Sequence, residues 1–315
     1  MSRLIRNFLL LLGILSFTSV LATDINRSLL DSAIVGDQDT IQLLLNKGAN
    51  PDAKSRFGKS ALMFAAENGN HEVVKLLVGQ GANINARSLV GCTALTYAAE
   101  NGHDELVKFL LKKGAKTHPK TRAGWDALAM ASRQGHNTVM STLIAHKANV
   151  NTSDKDGMTA LMATAVRSNT KAVSLLLDAD ADLHVRDKNG MSAMMMAACK
   201  GNTEIVKMLL KRGANVNTVD NDAETSLFCA AAGGHTDVMN LLLKQGANIN
   251  QQDLTGETAL FTAAINRQTN AVRFLLEHGA NRKIKNKAKL TVMEVAIKKR
   301  LHDIADLLEH HKGKK

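Results

Sequence analysis

At 315 residues, 45% hydrophobic and 22% charged, the chain has the make-up of a soluble folded protein, and its length alone suggests about two ordinary domains. Aromatic residues make up only 3%, Trp125 and Tyr97 are the sole members of their types, and there are two prolines. A core with few rings but much Ala, Leu, Val and Met suits small, closely packed helices, while a net charge of +11 raises nucleic acid or an anionic surface as partners.

The first 22 residues stand apart. Arg3 and Arg6 make a positive start, Phe8 to Phe17 (FLLLLGILSF) an apolar run, and Val20-Leu21-Ala22 supplies modest residues just before Thr23. This is the layout of a secretory signal peptide. An uncleaved anchor is the alternative, but the run falls well short of the roughly 20 apolar residues a spanning helix needs. No Cys follows the cut, so a lipid anchor is not indicated, and no later stretch is long and apolar enough to cross a bilayer. The expectation is a mature chain that begins near Thr23 and is periplasmic or secreted.

Beyond it the chain repeats. Gly81-Ala82-Asn83-Ile84-Asn85 returns as Gly246-Ala247-Asn248-Ile249-Asn250, 165 residues or five times 33 further on. Sliding the chain by 33 aligns Gly58, Gly91, Gly124, Gly157, Gly190 and Gly256, with Ala223 substituting once. Two residues later come Ser60, Thr93, Asp126, Thr159, Ser192, Thr225, Thr258 and Thr291, and then Leu62, Leu95, Leu128, Leu161, Leu227 and Leu260. A later column holds Gly48, Gly81, Gly114, Gly213, Gly246 and Gly279, interrupted by Lys147 and Asp180. A period of this kind means a stacked array rather than separate globular domains.

Each column predicts a local structure. The Ser, Thr or Asp accepts from free N–H groups at a helix start, and a short helix such as Thr159 to Ala165 puts Leu161 and Ala165 on one face. Gly69-Asn70 and Gly102-His103 turn the chain. In the next segment Val73, Val74 and Leu77 follow helical spacing, and Gly81 stops that helix because the position favours a left-handed backbone. Ala82 to Gly91 then runs out as a polar, finger-like loop.

The pattern G-x-[ST]-A-L-x-x-A-A-x-x-G-[HN]-x-x-[IV]-V-x-x-L-L-x-x-G-A-[ND]-x-N resembles the ankyrin repeat, in nine copies from about Arg27 to about His310. The resemblance implies an all-α solenoid of helix-turn-helix repeats with β-hairpin-like fingers, and a role in binding other proteins. One departure is consistent: the family's T-P-L-H becomes T-A-L-x, with Ala61, Ala94, Ala127, Ala160, Ala193, Ser226, Ala259 and Val292 at the proline place. Helix starts must then lean on their Ser/Thr caps. The expected organisation is a signal peptide (1–22), an N-terminal capping repeat (23–53), seven internal repeats (54–285) and a C-terminal capping repeat with a basic tail (286–315).

Little room is left for catalytic chemistry. The repeats contain no phosphate-binding Gly loop, no nucleophile elbow and no His-Glu-x-x-His, so no cofactor is expected. His103, His136 and His235 interchange with Asn70, Asn169 and Asn202 in the turn column, which points to hydrogen bonding at a helix start. His302, Asp306 and His310 line one face of the last helix and could hold zinc or nickel, but a solvated cap face is the simpler reading, since ligands eight apart span ~12 Å. Of three cysteines, Cys199 and Cys229 fall in neighbouring repeats. A bridge needs Cα atoms within ~7 Å, and free, partly buried thiols are the expectation.

Charge collects at the C-terminus: from Arg282 onward there are 11 Lys/Arg against four acids, without interleaved aromatics. That argues against nucleic acid and leaves a solvated cap, or weak contact of 282–315 with an anionic surface. The columns flanking each finger glycine are where the framework does not dictate the side chain. They hold Arg56, Phe57, Lys59, Leu89, Val90, Cys92, Arg122, Trp125, Lys155, Met158, Lys188 and Met191. The helix side adds Glu67, Asn68, Glu100, Asn101, Arg133 and Gln134, and later copies are more polar (Asn221, Asp222, Glu224, Thr255, Glu257). A sole Trp, a Phe and several Met beside Arg have the composition of a protein-binding surface. The sequence therefore reads as a monomeric, non-enzymatic scaffold in the periplasm of a Gram-negative bacterium, binding another protein. An exported effector or immunity-type inhibitor and an envelope-surface binder are the alternatives.

Overall fold

A computed structural model describes residues 24–310; the proposed signal peptide and residues 311–315 lie outside the described residues. Two compact units divide the chain, one up to Asn149 and one from Val150. Among the described residues of the first unit the helices are α1 (24–35), α2 (Gln38–Asn46), α3 (Ala61–Glu67), α4 (His71–Gly79), α5 (Ala94–Glu100), α6 (Asp104–Lys112), α7 (Ala127–Gln134) and α8 (Asn137–Ala145). The second unit holds α9 (Ala160–Val166), α10 (Thr170–Asp178), α11 (Ala193–Cys199), α12 (Thr203–Lys211), α13 (Ser226–Ala232), α14 (Thr236–Lys244), α15 (Ala259–Ile265), α16 (Thr269–Glu277), α17 (Val292–Lys298) and α18 (His302–His310). Each unit is an all-α repeat solenoid of helix pairs, as the period predicts.

The columns act as expected in packing. Leu62, Leu95, Leu128 and Leu161 are each 1% exposed, and the alanines beside them let first helices approach closely, so that α5 packs on both α3 and α7, and α13 on both α11 and α15. Seven of the eight predicted caps accept from a backbone N–H in the first turn, Asp126 from Ala129 at 2.9 Å among them. Thr258 makes no such bond. Ser226, standing where other copies have Ala, is fully buried and its hydroxyl has no hydrogen-bond partner among the described residues.

Among the described residues, all seven non-glycine residues with positive φ fill glycine columns of the repeat. Lys147 (φ 61°) and Asp180 (φ 57°) replace the helix-stop glycine, Ser168, Arg267 and Arg300 the turn glycine, and Ala223 and Lys289 the finger glycine. The backbone demand is thus kept when the residue that meets it most cheaply is lost.

The recurring asparagines lace one repeat to the next. The N–H of Asn85 donates to Asn83 Oδ1 at 3.0 Å, holding the turn at the root of the finger. The Asn85 side chain then donates to the Gly114 carbonyl (3.2 Å) and accepts from the Lys116 N–H (2.9 Å). In the second unit Asn217 does the same toward Gly246 (3.1 Å) and Asn248 (3.0 Å). Four fingers are closed by a single antiparallel bridge, Lys54 with Ser60, Ser153 with Thr159, Val219 with Thr225 and Lys285 with Thr291.

Two expectations need correction. Cys199 and Cys229 are disulfide-bonded, with Cα atoms 4.4 Å apart, and only Cys92 is a free, buried thiol. The turn-column histidines do not cap their own helices. They reach back instead to the preceding repeat, where Nε2 of His103 donates to the Glu67 carbonyl (3.0 Å), that of His136 to Glu100 (2.9 Å) and that of His235 to Cys199 (3.2 Å). The asparagines at Asn169 and Asn202 do cap, accepting from Ala172 and Ile205.

Candidate protein-binding surface

The fingers are held from within, which leaves their tips free for other work. In the first unit a hydroxyl fixes each tip: Ser55 accepts from the Lys59 N–H (3.2 Å), Ser88 from Cys92 (3.1 Å) and Thr121 from Trp125 (3.1 Å). In the second unit Asp154, Asp187, Asp220 and Asp253 replace these hydroxyls, and each accepts from two tip N–H groups at 2.8–2.9 Å. Neighbouring tips are joined through the backbone, Leu89 N–H to the Phe57 carbonyl (3.0 Å) and Arg122 N–H to Val90 (2.8 Å). With these backbone polar groups committed to one another, hydrogen bonding at the first unit's tips does not depend on the side chains of Phe57, Leu89 and Val90.

The residues singled out from the sequence divide accordingly. Phe57 is 58% exposed, Leu89 56% and Val90 51%, and the exposed set also includes Arg56, Arg122, Arg133, Lys155 and Lys188. The Arg56 guanidinium lies 4.6 Å from the Phe57 ring centre. Trp125 is half-buried, and the Arg133 guanidinium covers its ring at 4.7 Å. Met158 and Met191 are half-buried as well, and Cys92 is buried. Lys188 is ion-paired with Asp156 at 2.8 Å, which raises its pKa through that hydrogen bond.

Lys59 is not a free surface cation. Its ammonium pairs with Glu67 and sits 4.6 Å above the Phe64 ring and 4.3 Å above Tyr97, an arrangement in which ring quadrupoles and a carboxylate both hold the charge. Phe64 and Tyr97 were not picked out from the sequence; their separation of 33, which puts two rings in one column of the repeat, is the signal that could have found them. Below lies a small buried cluster of Met63, Ala86, Cys92 and Tyr97. Burial pushes the Tyr97 phenol up to about 12 and raises the Cys92 thiol. In the second unit Glu224 is also raised, first by burial and then by the neighbouring carboxylates Asp220, Asp253, Asp222 and Glu257.

Two hollows in the first unit border these residues. Glu67, Glu100, Asn101 and Gln134, all expected on the helix side, meet with His136 around an open hollow of about 520 Å³. A cleft of about 720 Å³ lies between α1 and the first finger, lined by Asn26, Arg27, Leu30 and 53–56. Among the described residues no three His, Cys, Asp or Glu side chains are grouped to hold a metal ion. His302, Asp306 and His310 do not assemble such a site, and Nδ1 of His310 donates to the Asp306 carbonyl at 2.9 Å. No described helix is long and apolar enough to cross a membrane.

No curated protein matches the chain. A family model described as "Ankyrin repeats (3 copies)" matches residues 29–121, 116–187, 164–253 and 246–315, overlapping spans that together take in nearly every helix pair above. The chain belongs to the ankyrin-repeat family, whose members are in general modules for protein–protein interaction.

Proposed function

We propose that the protein is a non-enzymatic scaffold acting outside the cytoplasm, which binds another protein through its finger tips and the exposed side of its first helices. The observation that carries this reading is the row Phe57, Leu89 and Val90, each more than half exposed on tips whose backbone is already hydrogen-bonded. Exposed apolar groups beside arginines are typical of surfaces a partner covers. Two features support the location: the three-part N-terminal signal pattern and the Cys199–Cys229 disulfide, a bond that persists in oxidising compartments and is rare in the cytosol. The partner's source, whether native to the envelope or a host or rival protein, does not alter the surface used.

The test is in-cell crosslinking with a photoreactive residue in place of Leu89, followed by identification of the adduct and N-terminal sequencing of the envelope fraction. A defined protein adduct and a start at Thr23 are expected. Absence of any adduct through Leu89 counts against protein binding at these tips, and an intact Met1 in the cytoplasm counts against export.

A second reading has one observation behind it. Arg282, Lys283, Lys285, Lys287, Lys289 and 298–300 are all exposed, so the C-terminal cap could hold an anionic envelope surface. Binding of that kind weakens steeply above physiological salt, whereas binding through the apolar tips does not.

A further inference from the structure

The fingers differ in sign along the chain. Fingers 54–59, 87–92 and 120–125 carry six Lys or Arg and no Asp or Glu. Fingers 153–158, 186–191, 219–224 and 252–257 carry eight acids against three bases, and the last finger, 285–290, returns to three Lys and no acid. Two of the first unit's finger cations are occupied: Lys59 pairs with Glu67, and Arg87 donates to the carbonyls of Gly91 and Lys120. Arg27, Lys54, Arg56 and Arg122 take part in none of the ion pairs among the described residues. Three of them line the 720 Å³ cleft, and Arg56 leads from it onto Phe57, whose carbonyl is tied to Leu89. Val90 is tied in turn to Arg122. Cations therefore flank a short apolar strip at both ends.

We infer that the fingers of the first unit take an acidic protein segment that also bears apolar side chains. Its carboxylates would sit on Arg56, Arg122 and the Arg27–Lys54 cleft, and its apolar groups on Phe57, Leu89 and Val90. Guanidinium groups receive carboxylates through paired, charge-assisted hydrogen bonds, and the strip between them has apolar surface to bury. A nucleic acid or a lipid surface meets only half of this. Phosphates would satisfy the arginines and leave the strip uncovered, and the two rings of these fingers, Phe57 and Trp125, already have Arg56 and Arg133 over them, so no open stacking platform is offered. The inference rests on the protein-binding reading above and adds the chemistry of the partner.

The experiment titrates the full chain with a fluorescein-labelled peptide of alternating Glu and Leu. The comparison probes are the same peptide with Leu replaced by Ser, the same peptide with Glu replaced by Lys, single-stranded DNA, and phosphatidylglycerol vesicles. The Glu/Leu peptide is expected to bind tightest. Arg56→Glu with Arg122→Glu should weaken it about tenfold or more, as loss of close complementary charges does. Asp222→Lys with Glu257→Lys, on the other unit's fingers, should not weaken it. Where the reversed variant melts lower, Arg56→Gln with Arg122→Gln replaces it. Unchanged affinity in the arginine variants, or tighter binding of DNA or vesicles, overturns the inference. Crosslinking through Leu89 that captures a protein at a basic or uncharged stretch also overturns it, while leaving protein binding standing. Absence of any protein adduct removes both.

Discussion

The imidazole of His103 lies against Gly69, its Nε2 donating to the Glu67 carbonyl at 3.0 Å, and a Cβ on Gly69 would come within 2.7 Å of that ring. Gly81 has a similar left-handed backbone (φ 83° against 74°) but open space where a Cβ would go. The two glycines thus separate conformation from contact. Gly81→Ala should cost about 1 kcal/mol through its backbone alone, and Gly69→Ala a further ~1–3 kcal/mol from overpacking. Urea denaturation decides this, and adding His103→Ala to Gly69→Ala should recover part of the extra loss. Equal costs at the two sites would show that the histidine contact adds nothing.

The α9–α10 repeat is expected to be the weakest internal one. It holds Ser168 and Asp180 in left-handed conformations that glycine fills in most copies, and in an array of nearest-neighbour contacts a weak repeat becomes the boundary of a cooperative block. Amide exchange should be fastest, among internal repeats, from Ser168 to Asp182. Asp180→Gly should stabilise by about 1 kcal/mol, and Leu161→Ala, which empties a fully packed position, should cost ~2–5 kcal/mol. Uniform protection across the internal copies contradicts the first expectation.

Much of this was legible in the sequence because Gly and Ser/Thr/Asp columns punctuate the chain with little help from tertiary context. Leu62, Val73 and Gly81 were placed by period alone, and the tips by what the period leaves unspecified. What escaped depended on neighbours in space. Whether Lys59 is free turns on Glu67, Phe64 and Tyr97, which belong to two different helices. The cysteines were expected to stay free because stacked helices need not bring two Cα atoms within bridging distance, and only the packing of α11 on α13 shows that Cys199 and Cys229 come within 4.4 Å. The histidines were read as hydrogen-bonding groups, but only the stacking reveals that their acceptors belong to the previous repeat.

Glu224 offers a pH test. Its carboxyl is raised by burial and by four neighbouring carboxylates, so the folded state binds its proton more tightly than the unfolded state does. Its contribution to stability is complete below the ordinary Glu range and is lost as pH rises through the raised value. Glu224→Gln should therefore raise the melting temperature at pH 7 relative to the parent, with the gain shrinking toward pH 4. A gain that stays constant between the two pH values would mean the charge is not responsible.

Ser226→Ala removes a fully buried hydroxyl that has no partner among the described residues and restores the residue found at this column in the neighbouring copies. A gain of about 1–3 kcal/mol is expected, the range for relieving an unsatisfied buried polar group. A lower denaturation midpoint would mean that the hydroxyl is satisfied in solution.

Trp125 separates binding from packing. Half-buried under Arg133, it should contribute at least ~2 kcal/mol to partner affinity, while Trp125→Ala leaves the melting curve nearly unchanged. As the sole Trp, its emission should shift when the crosslinked partner is added back. Retained affinity, or an unfolded variant, removes it from the site.

The bond between Cys199 and Cys229 also bears on mechanics. Helix pairs stacked in a line peel away one after another when the ends are pulled apart, each releasing its length into an extended chain. The bridge spans 30 residues, including the whole of α12 and the finger at Asn221. At ~3.3–3.6 Å per residue, roughly 100 Å of contour stays locked until the sulfurs part. Tension drawn along the chain crosses the S–S bond and bypasses the enclosed backbone, so the length of α12 and that finger is withheld from the extension while the load passes on to the repeats beyond.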